Sequence, residues 1–195
     1  MDIYGTKPQL IGDKPEYPSD YDDLSDKAQN CYWELVKEWE DANPGYYFRA
    51  NVWAWRPIHL AIVQANISCD LDIDDDTLDG MAYNSGHGLK TQEECNKLAD
   101  ALQELVDGMG EDSVHEYGFA LGCWNLRQGA ELLDEEDEQA LNEKYPYGQI
   151  IIDMPIKLAT KNKTRDVWPM HVTKVEHVKE FIQFLYRCGG FKIFI

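Results

Sequence analysis

The residues with the most chemical reach are rings and arginines set side by side. Tyr46, Tyr47, Phe48, Trp53 and Trp55 fall within ten residues and flank Arg49 and Arg56, two of the five arginines in the chain. Aromatic faces stack on nucleobases and on guanidinium planes, and an Arg fork grips phosphate or carboxylate through two parallel hydrogen bonds. A second stretch, Tyr83-Asn84-Ser85-Gly86-His87-Gly88, combines polar donors with glycines that let a backbone approach a ligand. Arg49, Trp53, Trp55, Arg56, Tyr83, Asn84, Ser85 and His87 are therefore the candidate ligand-binding residues. The chemistry they suit is a pocket for a small nucleotide-like anion. The plainer alternatives are that the rings are core, that the arginines pair with local acids, and that 83–88 is a tight loop leading into a helix.

No catalytic signature accompanies these residues. The 83–88 stretch is not followed by Gly-Lys-Ser/Thr, and it fits neither the GxGxxG nor the GxSxG frame. His59, His87, His115, His171 and His177 form no HExxH and no His/Cys cluster, so no zinc site and no resident cofactor is expected. His87 with Ser85 or an acid is the constellation that would support hydrolysis of a nucleotide signal. The acids at 70–79 resemble a calcium loop only in part. From Asp70, the sixth position is Asp75 and the twelfth Met81; from Asp72, they are Thr77 and Tyr83. A calcium loop needs Gly and Glu there. The five cysteines contain no CxxC pair, which argues for reduced thiols rather than a disulfide framework.

The formal net charge is −18, and it is unevenly placed: residues 1–150 carry −22 and residues 151–195 carry +4. Such a chain repels nucleic-acid backbones and anionic membranes, because binding to either depends on excess Lys and Arg. One small phosphate held by a local Arg pocket remains compatible with it. The acidic segments 70–79 and 131–138 suggest an alternative partner, a basic host protein reached by electrostatic steering. The opposed charge of the two chain regions suggests a homo-oligomer. No run reaches the ~18 apolar residues of a membrane span, and the first residues lack a basic and apolar leader, so a cytoplasmic protein is expected.

The elements that must position these residues are mostly helical. Residues 1–24, with Pro8, Pro15 and Pro18, read as an irregular arm, and 25–195 as a single mostly helical α+β domain with short strands. Ser25 caps a helix over 26–42 whose apolar stripe is Ala28, Cys31, Tyr32, Leu35, Val36 and Trp39. Residues 46–56 read as extended, since Pro57 is best placed at the start of a helix running to about 66. Residues 67–90 read as a long connection. Thr91 and Glu94 make a capping box for a helix over 91–107, and Thr173 and Glu176 make another for a helix over 173–188. Residues 137–145 suit a short helix, 157–166 a basic loop, and 149–152 and 191–195 short strands.

Three stretches resemble a family of small bacteriophage and prophage proteins of unassigned function. They are Phe48-Arg49-Ala50-Asn51-Val52-Trp53-Ala54-Trp55-Arg56-Pro57, Tyr83-Asn84-Ser85-Gly86, and Phe181-Ile182-Gln183-Phe184-Leu185-Tyr186-Arg187-Cys188-Gly189-Gly190-Phe191. The resemblance is local and does not extend over 111–148. It brings no catalytic residues with it. It implies a viral accessory protein made in a bacterial host cytoplasm, acting against host defence by sequestering a nucleotide signal or by occupying a host protein.

Overall fold

A computed structural model describes residues 1–83, 85–108, 117–120, 124–126, 140, 149–151, 156–160, 163–169 and 172–194. The fold is mostly helical α+β. The first strand, β1 (Asp2–Gly5), lies between β2 (Tyr47–Arg49) and the last strand, β9 (Phe191–Phe194), antiparallel to both. The expected irregular arm over 1–24 therefore begins with the central strand of a sheet. Ile3 is fully buried there, and the Met1 amino group donates to the Ala50 carbonyl at 2.7 Å. The rest of that segment crosses α1 (Asp26–Ala42) and is tied down by Asn43, whose side chain bonds both the N–H and the carbonyl of Ile11.

Helix α2 runs over Val52–Cys69, five residues earlier than Pro57 suggests. Asn51 caps it by accepting from the Ala54 N–H at 2.8 Å. Starting at 52 puts Trp55 in line with Ile58, Ile62 and Ala65, at offsets of three, four and three, and all four are buried. Burying an indole of ~200 Å² at ~25 cal/mol/Å² contributes about 5 kcal/mol. A proline inside a helix costs ~3 kcal/mol. Packing the ring therefore outweighs the broken helical bond.

The connection expected over 67–90 contains a further helix, α3 (Asp75–Ala82), capped by Asp74 through the Thr77 N–H. Helix α4 (Gln92–Asp107) begins with the expected capping box, Thr91 and Glu94 each bonding the other's backbone N–H. The second box does not form. Thr173 belongs to strand β8 (Val172–Lys174), paired with Phe119 of β3 (Tyr117–Ala120), and helix α5 (Val175–Leu185) starts behind Lys174 with no side-chain cap. Ladder bonding holds Thr173 extended, too early in the chain to act as the cap. The basic loop expected over 157–166 is instead most of a hairpin, β6 (Ile156–Thr160) and β7 (Lys163–Pro169), with β4 (Trp124–Leu126) on its other side. The alternation Ile156-Lys157-Leu158 carries the two-residue period of a strand. Strand β5 (Gln149–Ile151) appears where expected and joins β3. The helix expected over 137–145 and the acidic segment 131–138 lie outside the described residues, helical Ala140 excepted.

The core lies where α2, α4 and α5 meet the β2-β1-β9 sheet. Phe181 is its hub, with Phe48 at 5.1 Å, Trp55 at 5.6 Å, Phe184 at 5.9 Å and Phe191 at 6.0 Å between ring centroids. Gln92 fastens the start of α4 to the end of α5, donating to the Leu185 carbonyl and accepting from the Gly189 N–H, both at 2.7 Å. That clasp brings Cys95 and Cys188 together, fully buried, although 93 positions separate them in sequence. Their mutual hydrogen bond, then burial, pushes the Cys95 thiol well above its ordinary value.

Candidate functional site

Two helix N-termini meet at one cleft. Asn51 and Ala54 from the start of α2, and Thr173, Lys174, Glu176, His177 and Glu180 from the start of α5, line an open space of ≈ 410 Å³. Helix N-termini carry unpaired N–H groups and a partial positive charge, and they favour anions. At α5 that tendency is reinforced, because no side chain caps the helix. His177 is held on two sides: its ring lies 4.8 Å from the Phe48 ring, and Nδ1 is 3.0 Å from Glu180 Oε2.

Thr173 is the most informative member of this group. It is 4% exposed, and among the described residues its Oγ1 is the one buried side-chain oxygen or nitrogen without a hydrogen-bond partner. Leaving a hydroxyl in that condition costs about 1–3 kcal/mol, so native proteins seldom keep one without a reason. A ligand acceptor or donor in the cleft would be such a reason, reached when the Thr173 side chain rotates its covered hydroxyl toward that space. The carboxylates of Glu176 and Glu180 can accept from hydroxyl or amino groups, while the helix ends and Lys174 suit an anionic group. A ligand carrying both kinds of group is the one this lining complements.

The seven described candidates, Arg49, Trp53, Trp55, Arg56, Tyr83, Ser85 and His87, do not form one pocket. Trp53, 58% exposed, and Arg56, whose guanidinium lies 5.8 Å from the Trp53 ring, stand on the outer side of the first turns of α2. Arg49 is exposed on β2, 3.9 Å from Asp2. Trp55 is 1% exposed and its Nε1 donates to the Met81 carbonyl, so it is a core residue and not a ligand contact. The expected pairing of Trp53 with Trp55 fails because residues two apart in a helix point to different sides. Tyr83 is exposed, and Asn84 lies outside the described residues.

Ser85 and His87 do come together, with Ser85 Oγ 2.6 Å from His87 Nδ1. The same hydroxyl donates to the Gly80 carbonyl at 2.7 Å. A carbonyl can only accept, so the serine proton goes there and His87 Nδ1–H donates to the serine oxygen. Ser85 is thereby a clamp on the imidazole rather than an activated nucleophile. Packing reinforces this role, since a Cβ at Gly80 would collide with the His87 ring. Gly88 is likewise required by close approach: its segment pairs with β9, the Phe191 N–H donating to the Leu89 carbonyl and the Ile193 N–H to the His87 carbonyl. His87, Lys90 and Lys192 line a separate cavity of ≈ 560 Å³ whose walls also include Asp74 and Asp76.

No family model, curated protein or solved structure matches this chain. Among the described residues, no three His, Cys, Asp or Glu side chains are grouped to hold a metal ion, and no helix is long and apolar enough to cross a membrane. Thr173, Lys174, His177 and Glu180 were not legible as site residues. The Thr173-Glu176 spacing has an ordinary meaning, a helix cap, and nothing in a linear sequence marks a hydroxyl that ends without a partner.

Proposed function

We propose that this chain is a non-catalytic binding protein that sequesters a small nucleotide-like molecule, an accessory protein made by a bacteriophage in its host's cytoplasm. The observation that carries the reading is the buried, unpartnered hydroxyl of Thr173, a residue in the wall of a cleft at which two helix N-termini meet. In this reading the ligand's phosphate lies at the uncapped start of α5, near Lys174 and the Thr173 hydroxyl. Its sugar hydroxyls or amino groups donate to Glu176 and Glu180. Arg49, Trp53 and Arg56 are outside the lining of the cleft and have no assigned contact to the ligand in this reading.

Isothermal titration with a panel of cyclic dinucleotides, ADP-ribose derivatives and nucleoside phosphates tests the proposal. The expected result is a saturable heat with one member, weakened by Lys174→Ala, and recovery of that ligand intact after incubation. Recovery of a cleaved product would replace binding by hydrolysis as the reading. No heat and no thermal shift with any member would overturn it. The homo-oligomer expected from the opposed charges of 1–150 and 151–195 belongs to the same proposal, and sedimentation velocity tests it.

A further inference from the structure

Four rings, two exposed and two half-buried, form a continuous surface cluster where the N-terminal segment crosses α1. Tyr17 stacks on Tyr21, with centroids 4.8 Å apart and planes at 29°. Tyr32 stands edge-on to both, at 5.6 and 6.0 Å, and Trp33 lies 5.1 Å from Tyr32. The Trp33 Nε1–H donates to Tyr21 Oη at 2.6 Å, which fixes the indole against the tyrosine. Despite these contacts, Tyr17 and Trp33 keep 60% and 52% of their surface in solvent. Clustered apolar exposure of this kind marks an interaction surface more often than chance.

The surroundings define what would fit. Glu16, Asp20, Asp22, Asp23, Asp26 and Glu34 are all exposed along the segments that carry these rings, against Lys27 within them, Lys14 on the Tyr32 side and Lys37 one turn beyond Trp33. Ring faces are the negative part of the aromatic quadrupole, and the acids add to that field. The molecule contains its own example of the pairing. Lys14 Nζ sits 4.5 Å from the Tyr46 centroid and 5.8 Å from that of Trp39, and donates to Tyr46 Oη at 2.9 Å.

We propose that Tyr17, Tyr21, Tyr32 and Trp33 form a docking site for an arginine-bearing basic segment of a partner protein. A guanidinium is planar and weakly hydrated, so it stacks on exposed ring faces where an ammonium holds its water, and it still presents donors to the flanking carboxylates. The surrounding acids steer the segment in, and stacking of the planar guanidinium on the ring faces favours arginine over lysine. This site is separate from the cleft at the starts of α2 and α5, so either proposal can fail without the other.

The test is fluorescence-anisotropy titration of the whole protein with labelled peptides of alternating Arg and Gly, and of alternating Lys and Gly. The Arg peptide should bind more tightly. Tyr17→Ala and Trp33→Ala should each weaken it about two- to tenfold, the range of a partly exposed cation–π contact. Trp33→Phe, which keeps a ring, should retain most of the affinity and serves as the folding control. Neutralising distant acids with Asp75→Asn and Asp76→Asn should change it less than the ring substitutions do. Equal binding of both peptides, or equal weakening by the distant substitutions, would reduce the effect to general attraction by a −18 chain and overturn the proposal.

Discussion

Replacing Thr173 by Val removes one hydroxyl and leaves a side chain of nearly the same shape. Both residues are β-branched and both suit a strand, so β8 should keep its pairing. The hydroxyl oxygen is buried and unpartnered in the ligand-free protein. Its desolvation is uncompensated, a cost of about 1–3 kcal/mol, and the substituted methyl recovers it. Thr173→Val should therefore stabilise the free protein by about that amount. For a chain of this size, roughly 2–4 °C accompanies each kcal/mol, so Tm should rise by about 2–12 °C. Urea denaturation followed by tryptophan fluorescence measures the free energy directly, and a differential scan measures Tm; neither needs a ligand. With the cleft filled, the order should reverse, because the variant lacks a hydrogen bond that is worth about 1.5–3 kcal/mol to a charged group. That corresponds to a roughly ten- to hundredfold weaker ligand. A free variant less stable than the parent by ~1 kcal/mol or more would refute the reasoning, since it would mean that the hydroxyl already has a partner worth keeping.

Three further outcomes follow from the packing. Asn43→Ala should cost about 2–4 kcal/mol in urea denaturation, because the buried amide bonds Ile11 on both its backbone groups and the Trp39 carbonyl, leaving these unpaired when it is removed. Burial holds the His59 imidazole below its ordinary pKa, against the opposing pull of the Leu78 carbonyl. The unfolded chain then takes up the proton more readily, so this contribution is complete above about pH 6.5 and is lost as pH falls below it. A stability–pH profile of His59→Gln should fall less steeply on that side than the parent's. Site-resolved alkylation should modify the exposed Cys31 and Cys69 in the native protein, and Cys95 and Cys188 only at the rate of unfolding.

Local signals in the sequence specify an element where its energetics are local. The box of Thr91 and Glu94 and the stripe of Cys95, Leu98 and Leu102 specify α4 within one or two turns, and the structure has them all. Ser25 caps α1 as expected, but of that helix's stripe only Val36 and Trp39 are buried, because the segment crossing it covers one end and leaves Cys31 and Leu35 in solvent. Helix α3 leaves no period in the sequence because its eight residues bury only Leu78 and Met81. The place of β1 was invisible for a different reason: both its partners, around 48 and 193, are distant in sequence.

The amino-acid sequence alone determined the charge, the helical majority, and which residue types were available for binding. Only the tertiary structure decided which of them could be used. Trp53 and Trp55 show why. Residues two apart share a face in a strand, and lie ~200° apart in a helix. An extended 46–56 would have placed both indoles in one pocket. The core needed Trp55 beside Phe181 strongly enough to continue the helix through Pro57, which left Trp53 outside. The same competition holds Thr173 in a strand, turning an expected helix cap into a buried hydroxyl that waits for a partner.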